Sequence, residues 1–149
     1  MAGPVRYRHE RYDARRCAFQ ALYAASVSDE DPLAILAGVD GGDLLNAAGL
    51  EFARSLLSIH ADHADSIYRQ ISEATEWELV HESPVELSIL GLAAAELISG
   101  QTPPAVVINE AVELAKLYAS PAASGYINGM LRTIAERNAP AGRTPQPDN

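Results

Sequence analysis

The chain has 149 residues, 48% of them hydrophobic, and carries 11 Lys and Arg against 20 Asp and Glu, a formal net charge of −9. That length suits one domain, the apolar content excludes disorder over most of it, and the single cysteine, Cys17, excludes a disulfide framework. The acidic balance taken alone argues against nucleic acid, but residues 1–16 hold five arginines against Glu10 and Asp13, a local +3 on a body of −12.

No apolar stretch follows Arg6, Arg8 and Arg11, so neither a signal peptide nor a membrane span is expected, and a cytoplasmic setting follows. A first helix is predicted over Tyr12 to Ala25, where Cys17, Ala18, Ala21, Leu22 and Ala25 recur at helical spacing. Residues 1–11 then form a flexible basic arm. Asp31 caps a short helix from Pro32, and Gly38 to Gly42 make a turn. From Asp43 to Ala74, Leu45, Phe52, Leu56, Ile59, Ile67 and Ile71 mark either one helix or two in tandem.

Ser83-Pro84-Val85-Glu86 spells a capping box with proline at the first helical position, and Gly100 stops that helix. Leu87, Leu90, Ala94, Leu97 and Ile98 continue it. Thr102-Pro103-Pro104 opens a further helix, with Val107, Ile108, Ala111, Leu114, Ala115 and Tyr118 inward. Ser120-Pro121 restarts the chain as a last helix bearing Ile127, Met130, Leu131 and Ile134. Residues 138–149, rich in proline and polar groups, read as a disordered tail. The fold class is all-α, six to seven helices over residues 1–137.

Three segments carry a resemblance. They are Ala14-Arg15-Arg16-Cys17-Ala18-Phe19-Gln20-Ala21-Leu22-Tyr23, Val107-Ile108-Asn109-Glu110-Ala111-Val112-Glu113-Leu114-Ala115-Lys116, and Tyr126-Ile127-Asn128-Gly129-Met130-Leu131. In this order and spacing they resemble the NusB transcription-antitermination family over roughly residues 11–136, with Trp77-Glu78-Leu79 also in register. The resemblance implies a compact bundle of two packed halves. It also implies binding of boxA-type single-stranded RNA of nascent ribosomal transcripts, together with the ribosomal protein NusE and the elongation complex.

By the same resemblance, Arg11, Arg15 and Arg16 would meet phosphates, which gives affinity without sequence information. Tyr23, Tyr118 and Tyr126 would offer stacking surfaces. The competing reading makes these tyrosines core residues with a wet hydroxyl. Glu86 matches a family glutamate at the NusE interface, though the capping box alone accounts for it. Asn109 and Asn128 are read as structural amides, and Gly129 as the site of a close helix crossing.

Several family contacts are missing. Tyr12 and Asp13 stand where arginines are common, with Arg6, Arg8 and His9 as possible compensation. Leu87, His81, Gly91 and the run Ala122 to Gly125 replace basic or polar residues. Low affinity for RNA alone is therefore expected. The alternative is a NusB-fold interaction adaptor, or a homodimer, with little RNA binding of its own. His60 and His63 lie one helical turn apart but lack further ligands, and read as a polar face; no metal, cofactor or catalytic site is implied.

Overall fold

The computed structural model describes residues 3–39, 45–75 and 83–139, with side chains from Glu10 onward apart from Val39. All regular structure among these residues is helical. The helices are α1 (Gly3–Ser28), α2 (Pro32–Val39), α3 (Ala47–Asp62), α4 (Ala64–Ala74), α5 (Pro84–Ser99), α6 (Pro104–Tyr118) and α7 (Pro121–Arg137).

The backbone is helical from Gly3, where a flexible arm to residue 11 was expected. Pro4 occupies the first turn, where its missing N–H breaks no bond, and neither glycine nor proline occurs again before Ser28. The helix ends at Asp29, whose φ of 65° is the left-handed stop that glycine or asparagine usually fills. Asp31 Oδ1 then accepts from the Leu33 amide (3.2 Å) to start α2. The expected glycine turn falls largely at residues 40–44, outside the described residues, as do Trp77 to Leu79 and His81.

The long 43–74 segment is two helices. They meet at His63, whose backbone (φ −120°, ψ 17°) leaves the helical region with no glycine or proline to announce it. Asn46 begins α3, its side chain accepting from the Gly49 amide (2.8 Å). Ser83 and Ser120 cap α5 and α7 by accepting from the amides of Glu86 and Ala123 (3.1 and 3.0 Å), and Gly100 (φ 68°) closes α5.

Packing is organised around α5. Helices α1, α2 and α3 pack together as one half, α4, α6 and α7 join as the other, and α5 touches both. Every residue from Ser88 through Leu97 is buried, so α5 has no solvent face. A helix buried on every side along its middle belongs at the centre of a bundle, and its one buried charge, Glu96, must find a partner there. The close crossing lies here and not at Gly129, around which a β-carbon would meet nothing within 4 Å. A β-carbon on Gly91 would lie 2.4 Å from the Tyr68 hydroxyl and 3.2 Å from His60 Nε2. No described helix is long and apolar enough to cross a membrane.

Candidate nucleic-acid interface

The five-residue run Ala14 to Ala18 on α1 points in two directions, and this separates the arginines. Arg15 turns inward and is 7% exposed. Its Nε and Nη2 donate to the two oxygens of Glu96 on α5 (2.9 and 2.6 Å), and Nη1 donates to Glu110 on α6 (3.3 Å). Arg15 is therefore withdrawn from the phosphate-contacting set. A planar guanidinium with its charge committed to two carboxylates fastens three helices, and little of that charge is left for a phosphate.

Arg11 stays at the surface margin, its guanidinium 4.1 Å from the centroid of the Phe52 ring. Arg16 lies about 100° away from Arg15 around α1, on the outer side. It is ion-paired with Asp13 (3.5 Å), sits 5.7 Å above the Tyr12 ring, and its side chain is 31% exposed. Its Nε is buried without a partner among the described residues.

One helical stripe continues from Arg16. Positions 12, 16, 19, 20 and 23 recur at three- and four-residue spacing, so they share one side of α1. Phe19 is buried and joins the rings of Tyr23 (centroids 6.5 Å apart, stacked) and Tyr118 (4.9 Å, tilted). Tyr23 and Tyr118 are each 36% exposed, and Gln20 Nε2 donates to the Tyr118 hydroxyl (3.0 Å). A core ring thus packs against both half-open rings, and an amide holds the hydroxyl of one of them, Tyr118. Such rings keep an outer face for stacking while their inner face packs. The i, i+4 spacing of Tyr12, Arg16 and Gln20 was present in the sequence; Tyr12 reads there only as a lost arginine.

Tyr126 is placed differently. It is half-buried on α7, and its hydroxyl donates to Glu86 Oε1 at the start of α5. Tyr126 and Glu86 form a pair joining two helix beginnings. Asn109, expected as a buried structural amide, is exposed, and its side chain makes no hydrogen bond among the described residues. Asn128 is half-buried, likewise without one.

Elsewhere, His60 turns inward and shares a hydrogen bond with the Tyr68 hydroxyl (2.8 Å) beneath Gly91. Burial holds the His60 pKa below its ordinary 6.5 and pushes Tyr68 up to about 12. Cys17 is buried, and burial raises its thiol. No cluster of three or more His, Cys, Asp or Glu among the described residues could hold a metal ion.

The sequence pattern of the NusB family matches residues 12–136. The chain is 33% identical over 138 residues to the transcription antitermination protein NusB of Histophilus somni, covering 91% of this chain and 96% of that protein. The solved structure of T. maritima NusB superposes with a TM-score of 0.80 at 32% identity, covering 87% of this chain and 93% of its own. A structure of the antitermination factors NusB and NusE in complex with dsRNA superposes at 0.78 and 28% identity, covering 86% and 97%. With the family pattern spanning all of α2 to α6 and nearly all of α7, this chain belongs to the NusB family.

Proposed function

We propose that this chain is a cytoplasmic transcription antitermination factor that binds boxA-type single-stranded RNA of nascent ribosomal transcripts together with NusE. It acts by binding, without catalysis. One observation carries the RNA reading: the half-open rings of Tyr23 and Tyr118 each pack against Phe19, with Arg16 about two turns along the same stripe of α1 as Tyr23. Unpaired bases stack on such rings whatever their identity, and a neighbouring guanidinium meets the backbone. Arg16 and Arg11 are the phosphate contacts, with the basic stretch at residues 6–11 extending them. Glu86 is the point at which NusE engages, Tyr126, bonded to it, is a further stacking ring for RNA, and the functional unit is residues 1–137.

A second reading has its own support. The loss of Arg15 to the core and the −9 net charge leave few surface cations, so a protein adaptor or homodimer with weak RNA binding also fits. The two separate in one titration. Labelled boxA RNA is titrated with the chain, with and without NusE, at two salt concentrations, against a scrambled RNA. Preference for boxA that strengthens with NusE supports the first reading; equal binding of both RNAs in the ternary mixture leaves the adaptor.

A further inference from the structure

A groove of about 610 Å³ lies where the Arg11 turn of α1 faces the beginning of α6. It is lined by Arg11, Arg15, Gln101, Pro103, Val106 and Asn109, among others. Its size is that of an ordinary small-molecule site, roughly 300–1,000 Å³.

Its electrostatics are unlike those of a phosphate site. Arg15 is already neutralised by Glu96 and Glu110, and Glu110 itself lines the groove. Two arginines against two carboxylates leave no net formal charge, so an anion gains little there over water. What the groove does offer is uncharged hydrogen-bonding chemistry on an apolar wall. Asn109 and Gln101 each present an amide, one acceptor and two donors. Among the described residues neither side chain makes a hydrogen bond, and both are exposed. Pro103 and the exposed Val106 supply the flat apolar contact.

That combination matches one chemical class. An unpaired nucleobase presents adjacent donor and acceptor atoms on its edge, which an asparagine or glutamine amide pairs bidentately, and a flat face for apolar packing. The same helices link groove and rings: α6 runs from Asn109 and Glu110 beside the Arg11–Arg15 turn of α1 to Tyr118 beside Phe19 and Gln20. A strand of RNA laid along the α1–α6 seam reaches both.

We propose that this groove reads one unpaired base of the bound RNA, with the Asn109 amide as the specificity-determining group and Gln101 assisting. The inference rests on the RNA-binding reading above. It assigns to the Tyr23–Tyr118 end sequence-tolerant stacking, and to the Asn109 end the discrimination between bases.

The test uses the full chain, wild type and Asn109→Ala, with boxA RNA and a set of RNAs substituted one base at a time. The expected result is a roughly tenfold loss by Asn109→Ala on the parent RNA. That loss vanishes on the RNA substituted at one particular position, and the salt slope is unchanged. An equal loss on every RNA, or no loss on any, overturns the proposal. Asn109 is exposed, so the variant folds. A second measurement follows the Asn109 side-chain amide by NMR while pentamers of A, C, G or U are added to the wild-type chain. A shift with at least one pentamer is expected; no shift with any of the four overturns the pocket even if boxA binds elsewhere. Failure of the wild type to separate boxA from scrambled RNA, by contrast, overturns the parent reading.

Discussion

Replacing Arg15 by methionine tests the division of α1 into a core side and an RNA side. The substitution keeps an apolar stem of similar reach but removes three charged hydrogen bonds, to Glu96 at 2.9 and 2.6 Å and to Glu110 at 3.3 Å. Glu110 is about a quarter exposed and can rehydrate; Glu96, at 3%, cannot. A stranded buried charge of this kind costs about 3–5 kcal/mol. For a domain of this size each kcal/mol is about 2–4 °C, so the thermal midpoint should fall by roughly 10 °C. Circular dichroism of thermal and urea unfolding measures it. The double variant Arg15→Met with Glu96→Met removes the stranded charge and recovers most of the loss, because a buried pair exchanged for packed apolar groups is often neutral. At a temperature where Arg15→Met is folded, its RNA salt slope equals that of the wild type. A stability loss under about 1 kcal/mol, with a slope shallower by about 0.7, would mean that Arg15 contacts a phosphate after all.

Tyr118→Ala removes an outer stacking face and should weaken RNA binding by about 1–3 kcal/mol with the salt slope unchanged, whereas Tyr118→Phe keeps the ring and most of the affinity; fluorescence titration reads both. Gly91→Ala places a methyl 2.4 Å from the Tyr68 hydroxyl and should cost about 1–3 kcal/mol in urea unfolding, part of which returns when Tyr68→Phe removes that oxygen. His60 titrates below its ordinary 6.5 in the fold, so on acidification the unfolded chain takes up the proton first. Stability from this residue is complete above pH 6.5 and declines as pH falls from there toward the lowered folded value. His60→Leu should flatten that part of the pH–stability profile, and an unaltered profile would remove His60 as its source.

What the sequence makes legible is what its neighbours decide. Ser83-Pro84, Ser120-Pro121, Asp31-Pro32 and Gly100 stand where helices begin and end, because capping is settled within four residues. The break at His63 carries no such residue, so periodicity alone leaves one helix or two. Arg15 is the sharper case. It sits beside Arg16 in a basic run, and composition groups them. Its partners are 81 and 95 residues away, and nothing local announces that Glu96 waits inside an apolar helix. Asn109 fails in the opposite sense: it follows Val107 and Ile108, yet helical rotation carries it to the surface.

The same long-range pair bears on how an acidic chain could bind RNA. Glu96 is inside α5, and Glu110 faces the groove; both are held by Arg15, and Arg11 on the same wall balances the one negative charge that remains. The arginine absent from the surface therefore still acts on it, by offsetting one of the two carboxylate charges beneath the groove. On the proposed RNA reading, phosphate attraction falls to Arg11, Arg16 and the basic stretch before them, so stacking and base reading would supply a larger share of the affinity. Such a binder would depend on salt less steeply than an arginine-rich one, which makes the titration at two salt concentrations, with and without NusE, the measurement that separates the two readings.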